Sequence, residues 1–234
     1  LVRGSNNTLI VLADTGNRAV RLIDPDGGNE VYTLSDPDLK LGASSTLISA
    51  NTPGVPSTVT FTQITDVAVD PTDHNRIFIV DRGANKIYLY HVTSNNIELY
   101  AGTGIQKTNQ SNESVPRLAA TFDIPMSIDV APNGDIFIGE RGGIRKIEQS
   151  SGLVTLFAGK REQQPGFDEN IVVAANSSGT TSNGLIDGDC SSKTPLSSSF
   201  APHIADIKID SEGTLVLFES TICKKTKRIN KTCL

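Results

Sequence analysis

Residues 124–159 read IPMSIDVAPNGDIFIGERGGIRKIEQSSGLVTLFAG, and they decide the fold because they hold four short strand-like runs separated by turns. The first run alternates apolar and other residues with the period of two that a strand requires. Asn133-Gly134 follows it, a strong hairpin signal because both residue types tolerate positive φ. The second run is continuously apolar, which is typical of a strand covered on both faces. The segment therefore predicts a four-stranded antiparallel sheet with strands at Ile128–Val130, Ile136–Ile138, Ile144–Ile147 and Val154–Phe157.

The same order of runs recurs elsewhere in the chain. Residues 64–102 hold the complete unit, residues 203–230 hold its earlier part, and residues 8–34 hold its later part. Each four-stranded sheet has two faces to cover, and radial stacking of the units covers both. We therefore predict an all-β fold, a β-propeller of about four blades of which two are incomplete, as a single domain over residues 1–234.

The unit in residues 124–159 resembles the NHL repeat, in the variety found in teneurin-type and bacterial extracellular propellers. The resemblance is carried by a proline before the first strand, an Asn-Gly turn, an acidic residue ending the second strand, a basic third strand and a closing Ala-Gly: Pro125, Asn133-Gly134, Glu140, Ile144-Arg145-Lys146 and Ala158-Gly159. Asp14 and Asp81 stand at the position of Glu140 in two other units. The resemblance implies an NHL-type propeller, and the family's propellers commonly have six blades.

The count of strand-like runs does not close a ring. The N-terminal unit lacks a first strand and the C-terminal unit lacks a last one, so the units hold three, four, four and three strands. An uncovered inner edge tends to pair with other chains. We therefore expect the chain to be part of a larger propeller, with six blades as the resemblance implies. The alternatives are a neighbouring copy that supplies the missing strands, or a weak terminal strand that the pattern does not reveal.

The long connections all join the last strand of one unit to the first strand of the next. They cover roughly residues 35–62, 103–122 and 160–202, whereas the turns inside the units are short. Successive antiparallel strands alternate in direction, so these connections emerge on one face of the disc. Long loops on a rigid scaffold are the usual place for binding, although plain tolerance of insertions explains them almost equally well.

Two weak signals indicate a secreted or extracellular protein. Three cysteines lie in the last fifth of the chain. Five Asn-x-Ser/Thr sequons, somewhat more than chance gives at this composition, are possible glycosylation sites: Asn6, Asn109, Asn112, Asn176 and Asn230.

The cysteine positions favour one disulfide. Cys190 lies in a connection between units, and Cys223 lies in a turn that opens on the same face, so these two form the preferred pair. Cys233 lies past a third strand, which spans about 17–20 Å, so we expect its partner to lie outside this stretch of chain. A local Cys223–Cys233 bridge is the alternative if that strand is shorter.

The sequence contains no set of residues that we interpret as a catalytic or metal centre, and we predict no cofactor. A metal site needs several His or carboxylate ligands that converge. The three inner-strand carboxylates do not fall at one strand position, and polar channel walls are normal: Asp66, Asp129 and Asp206. The histidines are few and scattered over a turn, a strand end and a strand start: His74, His91 and His203.

Charge and hydropathy exclude two classes of partner. The net charge of −5 argues against nonspecific nucleic-acid binding, which needs clustered positive charge. No run approaches the roughly 20 apolar residues that cross a bilayer, so we predict no membrane insertion.

The sequence therefore favours a noncatalytic extracellular protein-interaction or scaffold module, a building block of a larger glycosylated assembly. Its expected partner is another protein or a neighbouring copy of the chain. The alternative follows from the resemblance alone, because some NHL-like propellers are metal-dependent lyases or lactonase-type hydrolases with ligands at one end of the channel.

Overall fold

A computed structural model of the chain describes residues 2–3, 8–25, 30–34, 59–93, 96–106, 114–141, 143–158, 204–211, 215–219 and 226–229. Within these ranges the regular structure is β-strand, apart from the 3-10 turns Thr15–Asn17 and Arg117–Ala119. The strands form four antiparallel sheets in chain order, which are blades of a β-propeller. The predicted fold class is confirmed.

Each blade runs from an inner strand to an outer one. Blade 1 contains β1 (Val2–Arg3), β2 (Thr8–Asp14), β3 (Ala19–Asp24) and β4 (Glu30–Leu34). Blade 2 contains β5 (Ile64–Val69), β6 (Arg76–Asp81), β7 (Lys86–His91) and β8 (Asn96–Ala101). Blade 3 contains β9 (Val115–Pro116), β10 (Ser127–Val130), β11 (Ile136–Glu140), β12 (Gly143–Ile147) and β13 (Leu153–Ala158). Blade 4 contains β14 (Ile204–Ile209), β15 (Leu215–Glu219) and β16 (Thr226–Ile229).

Two very short strands change the predicted strand count. The expectation that the N-terminal unit lacks a first strand is wrong, because β1 pairs antiparallel with β2 through Val2–Leu9 and Arg3–Thr8. Blade 3 gains a fifth strand, because β9 leaves the connection between blades 2 and 3 and pairs with the outer edge of β13. Pro116 is tolerated there because an edge position needs no second N–H bond.

The hydrophobic core lies between successive blades, and the sheets of blades 2 and 3 bury both of their faces. Ile77 and Ile79 on one face of β6 are fully buried in a cluster shared with blade 1. Phe78 and Val80 on the other face are fully buried in a cluster shared with blade 3. A third cluster joins blades 3 and 4. Each buried side chain of this size stabilises the fold by about 1.5–3 kcal/mol, so blade stacking is the main hydrophobic contribution.

In blades 2 and 3 the acidic residue that ends the second strand anchors the chain as it enters the blade. Asp81 is fully buried, and its carboxylate accepts N–H bonds from Thr62 (2.8 Å), Gln63 (2.9 Å) and Ala84 (3.2 Å). Glu140 is equally buried and accepts the N–H of Asp123 at 2.9 Å. These bonds hold the segment before the inner strand against the end of the second strand, which fixes where the inner strand begins.

The basic residue of the third strand meets the same acidic position in two blades. Arg21 approaches Asp14 at 3.0 Å in blade 1, and Arg145 lies 3.9 Å from Glu140 in blade 3. Both members of the blade 3 pair are almost completely buried. The cross-strand register places Tyr88 at the corresponding position of blade 2.

We predict that Asp81→Ala lowers the free energy of unfolding by about 2–4 kcal/mol, because it removes a buried acceptor and leaves three N–H groups without it. Urea unfolding measures the change, with Glu98→Ala at a half-exposed carboxylate as the control. A loss no larger than that of the control would contradict the anchoring role.

Candidate functional site in the central channel

The inner strands β5, β10 and β14 line the centre of the blade array. Each is the first strand of its sheet, so its inner edge has no strand partner among the residues that the structure describes. Such an edge presents a row of backbone N–H and C=O groups that need other partners. The next question is therefore which side chains form hydrogen bonds with these backbone groups.

Two aspartates each bridge two neighbouring inner strands. Asp66 accepts the N–H of Val67 at 2.8 Å through one oxygen and the N–H of Ile128, in the next blade, at 2.9 Å through the other. The strand registers place Val67 and Ile128 at equivalent positions, opposite Ile79 and Ile138. One carboxylate thus meets the same edge N–H in two successive blades.

Asp129 makes the same kind of bridge one blade further along. Its oxygens accept the N–H of Val130 at 3.0 Å and the N–H of Ile209, in blade 4, at 2.6 Å. Val130 and Ile209 are again equivalent, opposite Ile136 and Leu215. We call the bonds of Asp66 and Asp129 the carboxylate bridges.

The two carboxylate bridges lie at different heights in the channel. Blade 4 carries Asp206 at the strand position of Asp66, and it carries Lys208 at the strand position of Asp129. These positions are two residues apart, so their side chains share one face of the strand. The prediction that the inner-strand carboxylates do not fall at one position is confirmed by the register.

Lys208 compensates the negative charge of the channel. Its Nζ lies 3.6 Å from the carboxylate of Asp206, and both side chains are about half exposed. Desolvation alone would lower the pKa of Lys208, but attraction by the carboxylates of Asp66, Asp129 and Asp206 raises it above its ordinary value. Lys208 is therefore a persistent cation among three aspartates.

Burial acts on the bridging carboxyls in the opposite sense. Desolvation raises the pKa of Asp66 and of Asp129, and it outweighs the lowering by Lys208 and by the N–H bonds that each accepts. Despite this burial, each carboxylate accepts bonds from two backbone N–H donors.

The other chemistry-bearing residues do not converge. His74 is exposed in a turn, and the Nε2 of His91 lies 3.5 Å from Glu98 at the rim of blade 2. In the part of the chain that the structure describes, no three His, Cys, Asp or Glu side chains are placed to hold a metal ion. Outside the described residues lie His203, the five sequon asparagines and the three cysteines: Asn6, Asn109, Asn112, Asn176, Asn230, Cys190, Cys223 and Cys233.

The connection between blades 2 and 3 is anchored by a second polar cluster. Asp123 accepts bonds from Arg141 at 3.0 and 3.1 Å and from Gln106 at 2.8 Å. Ile124 beside it has φ +54°, an uncommon value for a β-branched residue, and its N–H donates to Asn85 at 3.2 Å. The same connection exposes Ile105 and Leu118, whose exposed fractions are 66% and 53%.

Sequence reasoning identified the channel carboxylates but missed the bridges and Lys208. The partners of Asp66 and Asp129 are backbone N–H groups, and every non-proline residue has one, so the sequence does not identify these partners. The position of Lys208 inside Ile207-Lys208-Ile209, on the polar face of an alternating strand, was the available signal.

Comparison with known proteins supports the fold. No protein-family model matches the sequence, and no curated protein matches it, so the NHL resemblance stays a prediction. The chain is similar to a solved structural genomics protein of unknown function from Bacteroides thetaiotaomicron, with 18% identity, a TM-score of 0.56, and coverage of 94% of this chain and 46% of that one.

Two further solved structures are similar, and both are auxiliary nutrient binding proteins. The one from Bacteroides thetaiotaomicron has 15% identity and a TM-score of 0.54, and covers 96% of this chain and 46% of its own. The one from Bacteroides ovatus has 13% identity and a TM-score of 0.52, and covers 95% and 46%. The chain thus spans about half the length of these structures, and the likeness shows the fold alone. None of the described residues lies in a helix long and apolar enough to cross a membrane.

We predict that each carboxylate bridge protects one amide of the following blade. Asp66→Ala is expected to raise the hydrogen-exchange rate of the Ile128 amide about tenfold, the equivalent of one hydrogen bond, while the Ile209 amide is unchanged. Asp129→Ala is expected to give the reverse pattern.

The matched control for both variants is Asp206→Ala, because Asp206 shares the strand position of Asp66 and pairs with Lys208. It should leave both amides protected. Equal loss of protection at both amides in all three variants would mean general loosening, and would contradict the bridges.

Proposed function

We propose that this chain is a noncatalytic protein-interaction or scaffold module built from NHL-type propeller blades. The observation that carries the proposal is the use of the channel carboxylates, because both oxygens of Asp66 and of Asp129 accept backbone N–H bonds. A metal-dependent lyase or hydrolase needs carboxylates or histidines available to a metal or to a transferring proton. Here the same side chains hold the blades together.

The binding surface that fits this role is the face from which the long connections emerge. In the connection between blades 2 and 3, Asp123 and Arg141 hold the backbone while Ile105 and Leu118 are exposed. Exposed aliphatic side chains on an anchored loop suit protein contact. Two similar solved structures are nutrient binding proteins, so an arrangement of blades like this one serves in binding proteins elsewhere.

We also place the module outside the cell, in a glycosylated assembly. Three of the sequons, Asn109, Asn112 and Asn176, fall in the long connections between blades. Three cysteines near the C-terminus suit an oxidising compartment.

The noncatalytic role predicts that the protein, purified without chelator, carries no stoichiometric divalent metal and does not turn over a panel of lactones. Elemental analysis and a turnover assay with and without EDTA test this. The double variant Asp66→Ala/Asp129→Ala is assayed beside the wild-type chain, because an enzyme with its active site in the channel would lose activity in this variant. Turnover that EDTA and this variant both abolish would establish the metal-dependent hydrolase instead.

The extracellular role predicts N-glycans on Asn109, Asn112 or Asn176 and a Cys190–Cys223 disulfide in protein isolated from its native source. Non-reducing intact mass with glycopeptide and disulfide mapping measures both. A mass of 24.9 kDa for this stretch of chain, with three free thiols, would overturn the extracellular assignment.

A further inference from the structure

The turn between the second and third strands of blade 2 packs against the connections on both sides of that blade. A Cβ built at Gly83 would lie 2.7 Å from Thr62, in the connection that leads into β5. On the other side, a Cβ built at Gly104 would lie 3.0 Å from the Cε of Lys86. Glycine at these two positions therefore leaves room for the turn, and the side chain of Lys86 crosses the connection directly before Ile105.

The same connection is fixed from blade 3 by Arg141, which directly follows β11. Arg141 donates to the carboxylate of Asp123 at 3.0 and 3.1 Å. That carboxylate also accepts the side-chain amide of Gln106 at 2.8 Å, and Gln106 directly follows Ile105. Ile105 thus lies between a residue that contacts Lys86 and a residue that is linked to Arg141. Although both neighbours are anchored, the Ile105 side chain is 66% exposed.

The cations of this junction are more exposed than its carboxylates. Asp81 and Asp123 are 0% and 2% exposed, and both already accept hydrogen bonds. Arg82 and Lys86 are partly exposed, and neither forms an ion pair within the described part of the chain. The side chain of Arg141 is 30% exposed beside its buried partner. A molecule that approaches this junction therefore meets positive charge next to an exposed aliphatic side chain. We call four residues the junction surface: Arg82, Lys86, Ile105 and Arg141.

Exposed carboxylates lie at the other end of the blades. The turns after the first and third strands meet there, as the bond from the Thr93 N–H to the side chain of Asn75 shows in blade 2. Asp73 is exposed in the first of these turns, and Glu148 is partly exposed where β12 of blade 3 ends. Because the two ends of the blades differ in this way, the junction surface favours a negatively charged partner although the net charge of the chain is −5.

We propose that the junction surface binds an acidic segment of another protein, with carboxylates on Arg82 and Lys86 and an aliphatic side chain on Ile105. The inference rests on the proposed interaction role and names the chemistry of the partner. A guanidinium binds a carboxylate through two parallel hydrogen bonds, which suits Arg82 to an Asp or Glu side chain. Positive charge alone would suit any polyanion, but neither a sulfated glycan nor a nucleic acid offers an aliphatic side chain to cover Ile105.

Selection from a displayed library of random peptides on the intact 234-residue chain tests the proposal. Peptides of about 12 residues reach roughly 40 Å when extended, which is enough to cross the junction between two blades. The selected peptides are expected to carry acidic residues next to Leu, Ile or Val. Fluorescence anisotropy with the labelled peptides then measures their affinity, and higher salt should weaken it because the charges at this surface are partly exposed.

Two variants of the junction surface should weaken the selected peptides. Arg82→Gln/Lys86→Gln is expected to raise Kd about tenfold and to reduce its dependence on salt, because two charge pairs are lost. Ile105→Ser is expected to raise Kd by about tenfold while leaving the salt dependence unchanged, because it removes only apolar contact. The urea midpoint of each variant shows whether it is folded.

Two control variants remove matched groups from blade 1. Arg18→Asn removes an exposed cation from the corresponding turn, and Asn85 holds the equivalent left-handed position in blade 2, with φ +52° against +53°. Val31→Ser removes an aliphatic side chain that is 55% exposed. Both controls should bind the selected peptides as the wild-type chain does.

Three outcomes would overturn the proposal. The library could yield no binding peptide, or it could yield peptides that bind both junction variants as tightly as the wild-type chain. In the second case the interaction role would stand and only the junction surface would fall. A heparin oligosaccharide that binds as tightly as the peptides, and that Arg18→Asn weakens as much as Arg82→Gln/Lys86→Gln does, would show a diffuse attraction for polyanions instead. Metal content and lactone turnover test the noncatalytic role independently of all three.

Discussion

The inner edge of each blade carries backbone N–H groups that no neighbouring strand pairs in the described structure, and the arrangement of the channel follows from how these groups are met. Asp66 and Asp129 each offer two oxygens to two equivalent N–H groups of successive blades. A single carboxylate therefore accepts one edge N–H group of its own strand and one of the next inner strand. Hydrophobic faces pull the blades together without direction, whereas these bonds set their relative height.

The same interaction supports the proposed noncatalytic role. Burial raises the pKa of Asp66 and Asp129, and in another setting such carboxyls would be candidates for acid–base work. Here their oxygens already accept backbone donors, and Lys208 adds a positive charge near Asp206. The exposed large aliphatic residues of the described chain lie elsewhere, in blade 1, on β8 and on the connection after blade 2: Ile10, Leu12, Val31, Leu99, Ile105 and Leu118. This distribution of side chains supports the proposed role in contact with other protein surfaces.

Much of the fold could be predicted because the period of two and the turn residues report strands directly. The continuous run at Ile77–Val80 predicts a strand covered on both faces, and all of it is buried. The two-residue strands β1 and β9 are too short for any period to show. The two partners of a carboxylate bridge are 62 positions apart in one case and 80 in the other. One partner is a backbone N–H group, so only the aspartate can be recognised from the sequence. The exposure of Ile10 and Leu12 could not be predicted either, because both have the residue types and the alternation of a buried strand.

The carboxylate bridges all point one way along the chain. In both of the described bridges the aspartate belongs to the preceding blade: Asp66 accepts an N–H of β10, and Asp129 accepts an N–H of β14. A ribosome releases the chain from its N-terminus, so the acceptor for each new inner strand is already in place when that strand emerges. In both bridges the acceptor is therefore synthesised before the strand whose N–H group it accepts.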